Sequence, residues 1–223
     1  MTVYLDTADV ARARPLLATG IFGGVTTTPL ILAKAGLGSP DRAEVVEAMA
    51  RAGAKRVFVQ AVGRSTADLL ADAARLAGEL GPLMQVAELV LKVPATSAGL
   101  SAVGRLPAQW DQVLLTALYH PAQALAACAL APKVGYAAPY LGRIDEQLGN
   151  GEQAVLQIAQ ICARAGVETV AASIRSLDQI GGLAAGGVGS FTLNCDLAEQ
   201  LANYPPALAA AAEFNRAAGL AGD

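Results

Sequence analysis

The chain has 223 residues, 54% of them hydrophobic, which is enough for one large core and typical of a single α/β domain. Its formal net charge is −3 and it has no block of basic residues, which argues against a nucleic-acid or anionic membrane partner but leaves small anionic ligands open. The three cysteines, at 128, 162 and 195, have no paired spacing, so we expect neither a disulfide framework nor a zinc site, and we expect a cytoplasmic location. No apolar run reaches about 18 residues, so we expect no membrane span.

Short apolar strands alternate with helical patterns along the whole chain. The first strand begins at about Val3, so we expect no export signal before it. One later strand is apolar throughout except for a single lysine, which makes it the most unusual of the set. The predicted strands cover residues 3–7, 23–27, 55–62, 88–96, 111–119, 134–140, 168–173 and 190–194.

Helix starts are marked by capping residues or by proline in the first turn. Apolar residues at helical spacing support these assignments, as in the series from Leu69 to Leu80 and the face from Val155 to Ala165. The predicted helices begin near Ala8, at Pro29 with a continuation to residue 52, at Ser65 or Thr66, at Ser97, at Pro121, after residues 149–151, at Leu177, after a cap at Asp196, and after residues 205–206.

Eight strands that alternate with helices predict a single (β/α)8 barrel, the TIM-barrel fold, over residues 1–204. No Gly-x-Gly-x-x-Gly follows a strand, which argues against an open sheet that binds a dinucleotide. A further helix within residues 205–223 exceeds the eight-unit plan. Its alanine-rich apolar face over 207–212 needs a partner, either the barrel's own outer ring or a neighbouring subunit, and we predict an oligomer contact.

Lys92 is the lysine within the apolar strand. Leu91 and Val93 beside it predict a strand buried on both faces, so the ammonium is partly stripped of water and its pKa should fall. Such an amine can attack a carbonyl and form an imine. The alternative is a strand-end lysine whose side chain reaches solvent.

Polar side chains occur at the ends of all the predicted strands. In a parallel barrel these C-terminal ends converge on one mouth, where chemistry occurs. Each residue alone also fits a structural role, such as helix capping by Asp6 or packing by Tyr140. Together, as a ring around a desolvated lysine, they favour an active site. The residues are Asp6, Thr26 with Thr28, Gln60, Lys92, Thr116, Tyr140, Ser173 and Asn194.

Five segments carry a resemblance to a known family. They are YLDT at 4–7, GVTT at 24–27, LKVP at 91–94, APYLGRID at 138–145 and AASIR at 171–175. In this order they resemble the transaldolase family, and within it the short fructose-6-phosphate aldolase-like branch. The resemblance covers nearly the whole chain and implies a homo-oligomer, a pentamer or decamer.

The resemblance also implies roles for individual residues. It makes Lys92 the Schiff-base lysine and Asp6 a supporting carboxylate beside it. It makes Arg143, Ser173 and Arg175 the residues that hold a substrate phosphate. Arginine suits this role because its planar fork matches phosphate oxygens and stays charged at any working pH. The alternative for the two arginines is a solvated charge at the barrel rim.

Two positions separate the branches of the family. Transaldolases typically carry glutamate where Gln60 stands and phenylalanine where Tyr140 stands, whereas the aldolases carry glutamine and tyrosine. Both positions therefore resemble the aldolase branch. The Tyr140 hydroxyl could pass a proton through a water held by Gln60 and Thr116, which would let the enamine be protonated and a free ketone leave.

One position departs from the family pattern. The family motif reads TTNPS, whereas residues 26–30 of this chain read TTTPL. Thr28 stands at the asparagine associated with contacts to substrate hydroxyls near the imine, and its hydroxyl is shorter, with one donor in place of two. We expect Thr26 and Thr28 to contact substrate.

The sequence therefore leads to three hypotheses. The first is a class I aldolase that forms or cleaves fructose 6-phosphate, with dihydroxyacetone and glyceraldehyde 3-phosphate or similar aldehydes as partners, and that needs no metal or other cofactor. The second is a transaldolase that moves the same three-carbon unit between sugar phosphates. The third, suggested by Thr28, is a barrel that binds a sugar phosphate without turnover.

Overall fold

Eight parallel strands close into a barrel in sequence order, and the last strand pairs with the first. The structure is a computed structural model that describes residues 1–220. The closed parallel barrel confirms the predicted (β/α)8 fold. The strands are β1 (Thr2–Asp6), β2 (Phe22–Thr26), β3 (Arg56–Gln60), β4 (Glu88–Pro94), β5 (Val113–Leu118), β6 (Val134–Pro139), β7 (Glu168–Ala171) and β8 (Ser190–Leu193).

Helices connect successive strands and surround the barrel. Short 3₁₀ turns cover Ser39–Asp41, Gly81–Gln85 and Pro121–Gln123. Within residues 1–220, none of the helices is both long and apolar enough to cross a membrane. The helices are α1 (Val10–Ala18), α2 (Pro29–Lys34), α3 (Arg42–Arg51), α4 (Thr66–Leu80), α5 (Ser97–Val103), α6 (Ala124–Ala129), α7 (Leu141–Leu148), α8 (Gly151–Ala163), α9 (Leu177–Ala185), α10 (Cys195–Ala202) and α11 (Pro205–Ala217).

Two details of the helices differ from the sequence prediction. The sequence pattern assigned no element to the residues of α7, which follow β6 directly and end at Gly149, whose φ of 67° is left-handed. The predicted cap of α10, Asp196, is wrong. Asn194 caps this helix by accepting from the Leu197 backbone N–H, and Asp196 instead lies in the first turn, 2.6 Å from the Arg12 guanidinium.

The inside of the barrel is filled by a separate apolar cluster, whereas the larger core lies between strands and helices. Side chains alternate along a strand, so the residue two positions after an inward residue also points inward. The inner cluster consists of Tyr4, Phe58, Val90, Leu114, Tyr136, Ala138 and Val170. Two positions after five of these residues stand Asp6, Gln60, Lys92, Thr116 and Tyr140. The predicted catalytic residues therefore form the next inward layer, toward the C-terminal ends of the strands.

Aromatic packing closes the other end of the barrel. Phe58 packs edge-to-face against Tyr4 at 5.0 Å and Tyr136 at 5.4 Å between ring centroids. The Arg56 guanidinium lies 5.1 Å from the centre of the Tyr136 ring and donates to the Tyr4 hydroxyl at 2.5 Å. These contacts make a rigid floor below the polar layer.

The last helix, α11, has no buried residue, and its large apolar side chains are exposed, including Leu208 at 53% and Phe214 at 71%. It begins at the predicted boundary after residue 204. The predicted C-terminal segment ends at residue 223, and its last three residues lie outside the described part of the chain.

Candidate active site

A cavity of about 810 Å³ opens at the C-terminal ends of the strands. Its volume is in the range of small-molecule sites. Nearly every residue predicted for the site borders it, which places the catalytic and phosphate-binding candidates in one space. The predicted residues that line the cavity are Asp6, Thr28, Gln60, Lys92, Thr116, Tyr140, Arg143, Ser173, Arg175 and Asn194.

Lys92 lies at the bottom of this cavity and is only 3% exposed. Burial lowers the pKa of its ammonium, and the negative charge of Asp6 opposes this effect. Within residues 1–220, Lys92 forms no ion pair, so little compensates for the lost hydration. The alternative of a side chain that snorkels to solvent does not fit this burial. The geometry gives an amine that loses its proton more readily than an ordinary lysine.

Asp6 is held by a chain of hydroxyl groups. The Thr26 hydroxyl donates to its carboxylate at 2.6 Å and lies 2.6 Å from the Thr192 hydroxyl. Burial raises the pKa of Asp6, while Lys92 and the Thr26 hydrogen bond lower it. Thr26, predicted to contact substrate, is 1% exposed and does not border the cavity, so its contact is with Asp6. Thr192 was not among the predicted residues.

Tyr140 directs its hydroxyl toward β5, where it lies 2.8 Å from the Thr116 hydroxyl. Ala117 follows with a φ of 62°, in a register shift of β5 that interrupts the regular ladder at this point. Burial raises the pKa of Tyr140, and the Thr116 hydrogen bond and Arg143 lower it. The Arg143 guanidinium lies 4.8 Å from the centre of the Tyr140 ring.

Gln60 ends β3 at the cavity wall and is partly buried. Its backbone carbonyl accepts from Arg42 at 2.7 Å. Arg42 is 2% exposed and forms an ion pair of 2.7 Å with Asp72, which also accepts from the Val62 backbone at 2.8 Å. This buried network fixes the end of β3 and therefore the position from which the Gln60 side chain extends.

The arginine end of the cavity is built by the start of α7 and by the loop after β7. Arg143 donates to the Tyr119 hydroxyl at 3.3 Å, a contact that the sequence pattern did not predict. Arg175 donates to Glu146, so one of its edges is already engaged by a carboxylate. Ser173 has a φ of 60°, a left-handed conformation that is strained for a residue other than glycine.

Thr28 and Lys34 lie on another wall, formed by the loop after β2 and by α2. The Thr28 hydroxyl accepts from the Ile31 backbone N–H at 3.2 Å and so caps α2, which leaves its hydrogen free to donate to a ligand. Lys34, at the end of α2, is exposed and also borders the cavity.

Within residues 1–220, no group of three or more His, Cys, Asp and Glu side chains is placed to hold a metal ion. A closed (β/α)8 barrel, with a buried lysine and convergent polar groups at its C-terminal mouth, defines a barrel enzyme.

Comparison with known proteins gives the family. The family model described as "Transaldolase/Fructose-6-phosphate aldolase" matches residues 3–219. A protein of Phenylobacterium zucineum named "Probable transaldolase" is 32% identical over 209 residues, covering 92% of this chain and 90% of its own length. A "Probable transaldolase" of Methanococcus maripaludis is 30% identical over 211 residues, covering 92% of this chain and 91% of its own length. The chain belongs to the transaldolase/fructose-6-phosphate aldolase family and is an enzyme of the aldolase or transaldolase type.

Solved structures add information on the fold alone. A thiamine phosphate pyrophosphorylase from Pyrococcus furiosus superposes with a TM-score of 0.58 at 12% identity, covering 91% of this chain and 94% of that one. A mandelate oxidase mutant superposes with a TM-score of 0.56 at 18% identity, covering 90% of this chain and 66% of that one. These identities are too low to carry a function.

Proposed function

We propose that the protein is a class I aldolase that forms and cleaves fructose 6-phosphate, with dihydroxyacetone and glyceraldehyde 3-phosphate or a similar aldehyde as the smaller partners. The observation that carries this proposal is the hydroxyl pair of Tyr140 and Thr116 at 2.8 Å, in the same cavity as the buried amine of Lys92. An aldolase needs both an imine-forming amine and a group that returns a proton to the enamine carbon.

The first steps belong to Lys92 and Asp6. The Lys92 amine attacks the ketone carbonyl, and loss of water gives a protonated imine that acts as the electron sink. Asp6 supports the positive charge from the same cavity, and Thr26 fixes its carboxylate. The hydroxyl group on the carbon that becomes the aldehyde then loses its proton to the Asp6 carboxylate or to water, the carbon–carbon bond breaks, and the released aldehyde leaves an enamine on Lys92.

The later steps distinguish an aldolase from a transaldolase. Tyr140 supplies a proton to the enamine carbon, with Thr116 and Gln60 orienting its hydroxyl or a water beside it. Water then hydrolyses the imine and frees the ketone. Without this proton, the three-carbon unit remains on Lys92 until an acceptor aldehyde arrives.

The phosphate of the substrate is bound at the arginine end. Arg143, Ser173 and Arg175 border the cavity there. Arg143 has no carboxylate partner within residues 1–220, and its guanidinium is therefore available to phosphate oxygens. Arg175 shares its guanidinium with Glu146, so a phosphate must either displace that carboxylate or use the remaining N–H groups.

The second candidate is a transaldolase, and a specific observation favours it: the relatives described above carry the name "Probable transaldolase". Product analysis separates the two functions. The aldolase releases free dihydroxyacetone from fructose 6-phosphate without an acceptor, whereas the transaldolase releases the ketone unit only to an added aldose phosphate. Borohydride trapping that finds no adduct with any ketose would instead support a barrel that only binds sugar phosphates.

A further inference from the structure

Two strands that do not pair with each other send hydroxyl groups to the same place beside Asp6. In the closed barrel β1, which carries Asp6, lies between β2 and β8. The Thr26 hydroxyl on β2 and the Thr192 hydroxyl on β8 are nevertheless 2.6 Å apart. Thr26 also contacts the Asp6 carboxylate, which extends into the cavity, so the two hydroxyls meet inside the barrel, across β1.

The number of hydrogens fixes the direction of these hydrogen bonds. The Thr26 hydroxyl has one hydrogen, and it donates this hydrogen to the Asp6 carboxylate at 2.6 Å. Because that hydrogen is already used, Thr26 must accept in its contact with Thr192. Thr192 therefore donates to Thr26, and Thr26 donates to Asp6. We call these two threonine hydroxyls the hydroxyl chain.

The hydroxyl chain is shielded from water. Thr26 is 1% exposed, Thr192 is 3% exposed, and neither residue borders the cavity. Within residues 1–220, Thr26 is the sole hydrogen-bond partner of the Thr192 side chain. In a dry environment, a hydroxyl that accepts a hydrogen bond becomes a stronger donor. The hydrogen bond from Thr192 therefore strengthens the one that Asp6 receives, which favours the ionised carboxylate.

Thr169 shows that burial alone does not require such a partner. It lies on β7, next to β8, and is 5% exposed. In the part of the chain that the structure describes, its hydroxyl has no hydrogen-bond partner. Thr192 differs because its hydrogen bond leads, through Thr26, to the carboxylate beside the reacting amine.

We propose that Thr192 is a positioning residue, which acts through Thr26 to hold the Asp6 carboxylate in place while the bond between the two halves of the ketose breaks. The proposal rests on the imine step of the proposed function. It applies to an aldolase and to a transaldolase, because both break this bond on Lys92. Thr192 contributes to the rate of this step and does not bind the substrate.

Single-turnover release of glyceraldehyde 3-phosphate from fructose 6-phosphate tests the proposal. Thr192→Val keeps nearly the same shape and removes the hydroxyl, so the rate should fall roughly 3- to 10-fold. The half-saturating concentration should change little, since Thr192 does not border the cavity. Thr192→Ser keeps the hydroxyl and should retain most of the rate, although the lost methyl group leaves a small void and should lower the thermal midpoint. A purely structural role predicts the opposite order, with serine worse than valine.

Thr169→Val is the matched control, because it removes a buried hydroxyl that has no partner in residues 1–220 and should leave the rate unchanged. Thr192→Ala and Thr192→Ser form a second pair that differs only in the hydroxyl, and alanine should be the slower of the two. A parent-like rate in Thr192→Val, or equal losses in the valine and serine variants, would overturn the inference. If the parent protein neither releases the aldehyde nor forms a borohydride adduct on Lys92, the proposed function itself fails, which is a distinguishable result.

Discussion

Lys92 combines two properties that rarely occur together, almost complete burial and the absence of an ion-pair partner within residues 1–220. Burial destabilises the ammonium and lowers its pKa, so Lys92 loses its proton more readily than an exposed lysine. Leu91 and Val93 on the same strand are fully buried against the surrounding helices. The apolar strand therefore accounts for the lowered pKa of the lysine.

We predict that borohydride reduction with fructose 6-phosphate attaches the substrate carbon skeleton to the peptide that contains Lys92. Lys92→Arg should abolish adduct formation and turnover, because a guanidinium stays protonated and is not a nucleophile at neutral pH. Peptide mapping by mass spectrometry measures the position of the adduct. A label on Lys34, Lys55 or Lys133 in the parent protein would contradict the assignment.

The pH dependence of adduct formation tests the charge balance at the site. Only the neutral amine attacks the carbonyl, so the trapping rate should rise with pH through a Lys92 pKa that burial has lowered. The Asp6 carboxylate stabilises the ammonium and raises this pKa. Asp6→Asn removes that charge, so the rising part of the curve of trapping rate against pH should move to lower pH, even if the maximum rate falls. If the rise stays at the same pH or moves to higher pH, the Asp6 carboxylate does not stabilise the Lys92 ammonium.

Tyr140 is the residue on which the aldolase assignment depends. A positioned proton donor contributes roughly 10² to 10⁴-fold, so Tyr140→Phe should slow release of free dihydroxyacetone and solvent-deuterium exchange into it by at least about tenfold. Trapping of fructose 6-phosphate on Lys92 should persist in this variant, because imine formation does not need the hydroxyl. Thr28 is present in every variant, so the two partial reactions are compared within the same variant. Undiminished release of ketone would show that Tyr140 only packs in the barrel mouth, and the aldolase assignment would lose its main structural support.

At the scale of elements, α7 and the loop after β7 support each other at the arginine end of the cavity. Gly142 lies so close to this loop that a Cβ there would be 2.5 Å from the Ser173 carbonyl oxygen and 2.5 Å from Arg175 Nε. A backbone atom at that distance cannot give way without movement of the loop. Glycine at this position therefore allows Ser173 and Arg175 to approach the start of α7.

We predict that Gly142→Ala displaces the phosphate-binding residues and raises the KM for phosphorylated substrates roughly 10- to 100-fold, the effect of losing about one charge-assisted hydrogen bond. Unphosphorylated aldehydes should be much less affected. Gly78→Ala is the control, because a Cβ at Gly78 within α4 meets nothing within 4 Å and should stabilise the helix by about 0.5 to 1 kcal/mol. Steady-state kinetics and thermal unfolding of both variants measure these effects. Equal loss for both substrate classes would indicate general damage to the fold.

The sequence predicted the elements and the ring of polar side chains because both follow local rules. Strand alternation places Asp6, Lys92 and Tyr140 two positions beyond inward apolar residues, and parallel strands bring their ends to one mouth. The contact of Tyr119 with Arg143 and that of Thr192 with Thr26 could not be predicted. They join residues far apart in the chain, and their geometry depends on how neighbouring strand ends and loops are placed.

Capping shows the same limit at the ends of helices. The sequence pattern predicts the cap of α10 at Asp196 and assigns Asn194, two residues earlier, to the end of the preceding strand, because local preference does not distinguish two good capping residues so close together. In the structure Asn194 caps the helix, and Asp196 lies within the first turn, where it pairs with Arg12 on α1. The helix α7 was not predicted because it has only eight residues, between β6 and Gly149 with its left-handed φ. A helix this short shows too few apolar residues at helical spacing to reveal its period.

At the scale of the whole molecule, the two ends of the barrel have different tasks. The floor, made by Tyr4, Phe58, Tyr136 and Arg56, is closed by aromatic packing and contributes stability. The opposite mouth is open and carries the candidate catalytic groups. Function and stability are thus separated along the barrel axis, and substitutions at the mouth should alter activity without unfolding the protein.

The exposed helix α11 belongs to neither end of the barrel. None of its residues is buried, whereas Leu208 and Phe214 expose 53% and 71% of their surfaces, an arrangement that is unfavourable in water for a helix left uncovered. The family resemblance implies a homo-oligomer, and we predict that α11 contacts a neighbouring subunit. The full chain should then sediment as an assembly at micromolar concentration.

A chain that ends at Tyr204 should lose assembled mass in sedimentation or light scattering, because it lacks α11 while retaining all eight strands. Phe214→Glu should weaken the assembly in the same direction, since it places a charge on the apolar surface that the contact would bury. Val86→Glu is the matched control: Val86 is similarly exposed at 63%, but it lies before β4 and far along the chain from α11. A parent chain that is monomeric under these conditions would contradict the prediction, as would equal behaviour of the two glutamate variants.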